Sequence, residues 1–396
     1  MKRCGGCGAT PVTHVECKNR GSLAIGSLCF VVLTIPYRWI THLNEKTFDW
    51  KAYQEQMNAF GEWISIFPVS GVTLTDSVKN EFKIKRVLLV EKGKLPRIRL
   101  RLGVPTRISK LKEQDRGGIL DSADTFAIVW QSGTLPEAKA QNRRIVQDEL
   151  AILASSQLGY QKRRSGSFPS IMGEYTAGSI GNVLVCKQDS RRNFQRRTVG
   201  KSDDLRLDGV WRTFQDKMFF SKLLGIINGQ VKVSRKWQED LKRAAVLVGQ
   251  SQVSNDVAQA FLWNMIALEL LLTNQQDKHS DALPKRIEAF LGWVGFWEDD
   301  DYEAQIAEAY RKRCLFVHDG KRDEVSIEDL LFTDDLVLNL LSNLTHHSRL
   351  FTSKQDVVDF ADRVECERKL GVRPKVRPGT LHFISRKYEE KDYEEI

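Results

Sequence analysis

The sequence predicts an α+β protein, with an N-terminal mixed, β-rich domain followed by a C-terminal all-α helical bundle. Three observations lead there. Residues 257–273 (VAQAFLWNMIALELLLT) are apolar nearly all round, interrupted only by Asn264 and Glu269, as in a helix at the centre of a bundle. Residues 96–102 (PRIRLRL) alternate cationic and aliphatic side chains, the period-two pattern of a half-buried strand. With 396 residues, 41% hydrophobic and 28% charged, the chain is long enough for two or three globular domains with sizeable cores.

Domain boundaries are expected where composition shifts. Residues 1–30 read as a zinc knuckle or a flexible terminus, and 30–160 as a basic mixed α/β domain. Residues 161–202 form a basic, Gly/Ser-rich junction, 203–365 the helical bundle, and 366–396 a charged tail.

At the start, Cys4 and Cys7 are followed by His14 and Cys17, two ligand pairs each separated by two residues. Four such ligands would close a tetrahedral structural zinc site, with Gly5, Gly6 and Gly8 allowing the tight turn. The other reading is a frayed terminus with incidental thiols. Residues 21–37 carry no charge, but Pro36 and two glycines interrupt the run, and it is short for a membrane span. Its β-branched part, 30–35, predicts a buried strand and no transmembrane segment. Helical spacing of Tyr53, Met57, Phe60 and Ile64 predicts a helix over 49–67. Strands are expected over 82–90, 96–102 and 125–130.

Basic residues gather in three places. Residues 83–112 hold many Lys and Arg with Glu91 as the sole acid, and the 96–102 alternation puts Arg97, Arg99 and Arg101 on one face. Residues 161–164 (QKRR) and 190–201 (SRRNFQRRTVGK) read as basic loops, the second offering Arg191, Arg192, Arg196 and Arg197, with Phe194 to stack on a base. A solvated face is the plain explanation for the strand; phosphate contact is the second.

The C-terminal half gives four helices after this. The first is 257–273. Asp281 is the expected N-cap of the second, which runs to Leu291 through Pro284. The third follows the acidic run 298–301, and Tyr302, Ile306, Ala309, Tyr310, Cys314 and Val317 recur along it at helical spacing. Arg313 lies one turn beyond Ala309, at the edge of that stripe, and Gly320 is the stop signal. Residues 329–344 supply the fourth helix.

Arg313 and His318 are the candidate chemical groups. Arginine stabilises an anionic phosphate, and histidine moves a proton near neutral pH. Together they suffice to cut RNA without a metal, because the 2′-hydroxyl is itself a nucleophile. Five residues of α-helix are about 140° of rotation, so one helix does not aim both side chains at one phosphate. Either His318 sits where the helix ends, or another chain completes the site. The alternative is structural: Arg313 salt-bridges the bundle and His318 satisfies helix-end carbonyls.

The Ala267-Leu268-Glu269 of the first helix and the Tyr310-x2-Arg313-x4-His318 end of the third resemble the HEPN superfamily, in particular its Apea-like branch. The resemblance covers roughly residues 203–349. It implies an α-helical bundle that pairs with a second copy, the Arg and His of both meeting in one cleft. It also implies catalytic roles for Arg313 and His318, with Tyr310 and Glu269 in support; Asp319, beside the histidine, is a further supporting candidate. The chain departs from the usual pattern at Cys314, where a polar residue is common, and at Asp319, where Gly often follows the His directly.

The expected function is a metal-independent HEPN-type endoribonuclease, in antiphage defence or a toxin system, cutting single-stranded RNA by 2′-OH attack. No cofactor is expected for catalysis. The expected partners are RNA and a second copy of the chain, with no membrane. The alternative is a non-catalytic RNA- or nucleotide-binding or sensor protein that uses the bundle for dimerisation; an antitoxin-like partner of another enzyme is a third reading. The net charge of +9 suits a polyanionic partner, and seven scattered cysteines, an odd number, read as reduced thiols in a cytoplasm.

Overall fold

The computed structural model describes residues 33–36, 60–95, 118–163, 168–172, 181–186, 194–199, 204–291, 302–371, 387–389 and 393. Its strands in chain order begin with β1 (Leu33–Pro36), β2 (Gly61–Ser70), β3 (Val72–Leu74), β4 (Glu81–Lys83), β5 (Leu88–Glu91), β6 (Thr125–Gly133) and β7 (Ser170–Ile171). A sheet of order β1-β2-β6-β5-β4, with β7 also on β2, is antiparallel throughout. The helix expected over 49–67 is overturned in its described part: Gly61–Ser70 is the strand β2. Trp63, Ser65, Phe67 and Val69 are buried on one face, while Ile64 and Ile66 are half-buried on the other. Pairing with both β1 and β6 makes this alternation more favourable than any helical stripe.

The expected strand over 82–90 is two strands, β4 and β5, joined by a turn. The turn is held from outside. Glu149, only 2% exposed, accepts hydrogen bonds from the backbone N–H of Lys85, Arg86 and Val87 at 2.9–3.0 Å. That carboxylate belongs to α1 (Leu135–Ser155), which the sequence reading does not anticipate. Thr134 and Glu137 form a capping box at its start. The helix lies on the sheet, where Asn142 donates to the buried Ser65 hydroxyl at 2.9 Å.

Two further strand pairs follow. The hairpin β8 (Gly181–Cys186) and β9 (Phe194–Val199) is antiparallel. β10 (Leu205–Leu207) runs parallel to β3 and buries Leu205 and Leu207 beside Val72 and Leu74. The rest is helical: α2 (Gly209–Lys217), α3 (Phe220–Ile227), α4 (Arg235–Val253), α5 (Val257–Leu272), α6 (His279–Leu291), α7 (Tyr302–Asp319), α8 (Ile327–His346) and α9 (Lys354–Lys369). The four helices expected here exist as α5 to α8. Asp281 does not cap α6, which starts at His279, so Asp281 lies in the first turn and Pro284 inside the helix.

α5 packs against α4, α6, α7, α8 and α9. Its own chain therefore covers its apolar surface, and that surface gives no reason for a second copy. One hydrophobic cluster joins the sheet (Phe67, Val129), α1 (Val146, Leu150) and the helices (Phe261, Leu340). The described residues also hold a buried ionic network. Arg163, 6% exposed, donates to both oxygens of Asp334 at 2.7 and 2.9 Å and to Ser251, while Asn264 and Gln252 donate to Asp334 from α5 and α4. Among the described residues no helix is long and apolar enough to cross a membrane.

Candidate functional site

α7 is placed by its apolar stripe and by three charged ties. Ile306 and Ala309 are buried, and Tyr310 packs partly against the main core. One turn further, the Arg313 side chain is 18% exposed and Glu269 of α5 is 11% exposed. Arg313 Nη2 donates to Glu269 Oε2 at 2.9 Å. Nε and Oε1 are also 2.9 Å apart, but the pair is off-line for a hydrogen bond. On the neighbouring side, Lys312 Nζ donates to both oxygens of Asp329 at 2.7 and 2.9 Å, tying α7 to the start of α8. Just past the helix, Arg322 pairs with Asp256, the N-cap of α5. Since Arg313 meets the last turn of α5 and Arg322 its first, α7 runs antiparallel to α5.

Guanidinium has five N–H donors, and Glu269 engages one edge of it. Nη1 is left without a protein partner among the described residues. The Arg313 guanidinium carbon lies 5.8 Å from the Tyr310 ring centroid, within cation–π range. The Tyr310 phenol is pushed up to about 12, first by burial, then by Cys314 and by the Glu269 charge. It shares a side-chain hydrogen bond with Cys314. At neutral pH Tyr310 is thus an uncharged support for the arginine.

His318 is exposed in the last turn of α7 and makes no hydrogen bond or ion pair with any described residue. Asp319, the final helical residue, is exposed as well. The helix-end carbonyls are met otherwise. Gly320 takes the left-handed conformation at φ 68°, and its N–H donates to Phe316 at 3.1 Å. Lys321 N–H donates to Leu315 at 3.2 Å. The purely structural alternative therefore describes Arg313, which salt-bridges the bundle, and does not describe His318. The two side chains face different ways: the arginine faces α5 and the imidazole faces solvent, as the five-residue rotation requires.

The remaining sequence candidates fall elsewhere. Arg97, Arg99, Arg101, Arg191 and Arg192 lie outside the described residues, as do Cys4, Cys7, His14 and Cys17. Among the described residues no group of His, Cys, Asp and Glu has the makings of a metal site. The expected basic loop over 190–201 is overturned in part, because Arg196 and Arg197 sit on strand β9. Their partners are Leu184 and Val183, and adjacent positions on a strand belong to opposite faces. Sequence reasoning missed the ties made by Lys312 and Arg322. The signal available was a cation next to an apolar stripe, but nothing local names the acid that meets it. No family model, curated protein or solved structure matches the chain.

Proposed function

We propose that the chain is a metal-independent endoribonuclease of HEPN type that cuts single-stranded RNA. The observation that carries this reading is the contrast on α7: Arg313 is oriented by Glu269 with Nη1 still open, while His318, five residues on, is exposed, and neither Nη1 nor His318 has a partner among the described residues. A fixed cation and a free imidazole are what phosphodiester transfer needs from a protein. His318 takes the proton from the 2′-hydroxyl, and the 2′-oxygen bonds to phosphorus. Arg313 stabilises the charge of the pentacoordinate phosphorane. The bond from phosphorus to the 5′-oxygen then breaks, and that oxygen leaves with the proton that His318 gives up. Unpaired loops suit the reaction because their sugars can turn the 2′-oxygen in line with phosphorus.

Because Arg313 and His318 diverge on one helix, the working unit is a homodimer in which the arginine of one chain serves the histidine of the other. The HEPN resemblance extends the reading to antiphage defence or a toxin system in the cytoplasm. Arg97, Arg99, Arg101, Arg191, Arg192, Arg196 and Arg197 are phosphate contacts in it, and Cys4, Cys7, His14 and Cys17 hold a structural zinc. Analysis of the cut ends tests the mechanism. Fragments should carry 2′,3′-cyclic phosphate or 3′-phosphate on one side and 5′-hydroxyl on the other; 5′-phosphate ends would overturn the 2′-OH route. A second reading, an RNA- or nucleotide-binding sensor without catalysis, is favoured by the engagement of Arg313 with Glu269. It predicts binding with no cut ends at all.

A further inference from the structure

The end of α7 is a poor place for a phosphate. A helix C-terminus carries about half a negative charge, and Asp319 adds a full one. The cations along this stretch are mostly occupied. Arg311 pairs with Glu308 at 2.6 Å, Lys312 with Asp329 at 2.7 Å, and Arg313 with Glu269 at 2.9 Å. Arg322 pairs with Asp256. From Arg311 to Arg322 the exception is Lys321, whose exposed ammonium makes no hydrogen bond or ion pair with any described residue.

The turn that carries Lys321 is also fixed. Its backbone N–H closes on Leu315, and the next residue, Arg322, is anchored twice. The Arg322 guanidinium pairs with Asp256 and lies 5.8 Å from the Phe316 ring centroid. Arg322 N–H returns to the Gly320 carbonyl at 3.0 Å, and Val325 N–H to the Arg322 carbonyl at 3.1 Å. A free cation is thus presented three residues after His318 on backbone that is already ordered, so when it meets an anion the entropy lost is that of the side chain and not of the backbone.

We propose that Lys321 is a substrate-binding residue, holding the RNA phosphate next to the one that His318 and Arg313 act on. This rests on the ribonuclease reading and names a binding group that the Arg-x4-His pattern does not contain. Lys321 offsets the negative end of α7 where the substrate strand must pass, and Arg322 acts through it as a positioning residue.

The test is the salt dependence of binding to a fluorescent single-stranded RNA, measured on His318→Ala chains to prevent cutting, with Lys321 intact, Lys321→Met or Lys321→Arg. Losing one phosphate contact should make the slope of log affinity against log salt shallower by about 0.7. Lys321→Arg should restore the slope. On chains with His318 intact, Lys321→Met should raise KM several-fold and leave kcat within about twofold, the mark of lost uniform binding. An unchanged slope and KM in a chain that binds and cuts RNA would overturn the role of Lys321 alone. A parent chain that neither binds nor cuts RNA would overturn the ribonuclease reading, and this inference with it.

Discussion

Glu269 decides how Arg313 can be used. A carboxylate that engages one guanidinium edge sets the plane of the other, which is orientation rather than simple neutralisation. Replacing Glu269 with Ala should lower stability by about 1.5–3 kcal/mol, the range for hydrogen bonds to charged groups, since Arg313 keeps a partly buried charge without its partner. Cutting should fall too, because the arginine loses its aim. Glu269→Gln, which still accepts one hydrogen bond, should lie between the two. Denaturant midpoints and kcat at saturating RNA read both effects; faster cutting by Glu269→Ala would mean that the carboxylate restrains Arg313 instead of aiming it. At this scale the sequence was informative where chemistry is local. Arg313, His318, Tyr310 and Gly320 lie within eleven residues of one another, and the placement of the first three on α7 with Gly320 just past its end was legible. The partners of Lys312 and Arg322 are 17 and 66 residues away, and no period or spacing links a surface cation to one acid among many.

At the scale of elements, α5, α7 and α8 were legible because a long amphipathic or wholly apolar run has few alternatives to a helix. β2 was not: Ile64 continues the helical spacing of Tyr53, Met57 and Phe60 in the sequence, and only pairing with β1 and β6 reveals the strand's period of two. α1 escaped because Glu137 to Arg144 has no strong apolar stripe; the tertiary site gives it its helix, through Glu149 on one side and α4 on the other. There Gly249 meets α1 backbone to backbone. A Cβ at Gly249 would lie 1.7 Å from the Ala151 carbonyl oxygen, a clash with main chain that no rotamer relieves. Gly249→Ala should therefore cost about 3 kcal/mol or more, at the upper end of overpacking. A fall in the urea midpoint at constant m would register it, and an unchanged midpoint would show that the α1–α4 contact is looser than drawn.

On the scale of the whole molecule, the class was legible: among the described residues, strands with the single α-helix α1 between them come first, and after β10 every described element is a helix. Less legible was how the parts share a core, because Arg163, Ser251, Asn264 and Asp334 meet from segments up to 171 residues apart. Within this frame α7 displays His318 outward and Arg313 inward, and the proposed reaction therefore pairs the arginine of one chain with the histidine of another. Mixing Arg313→Ala chains with His318→Ala chains should recover part of the cutting that each lacks alone, since the heterodimer retains one Arg and one His across the interface. No recovery in a mixture shown by light scattering to be dimeric would contradict the shared site. The most direct test of the central claim is to incubate the purified chain with single-stranded RNA in EDTA, beside the His318→Ala variant. The account predicts that the parent chain cuts with no divalent ion and that His318→Ala, folded and still RNA-bound, does not. Cutting that requires Mg²⁺, or equal cutting by both chains, would contradict it.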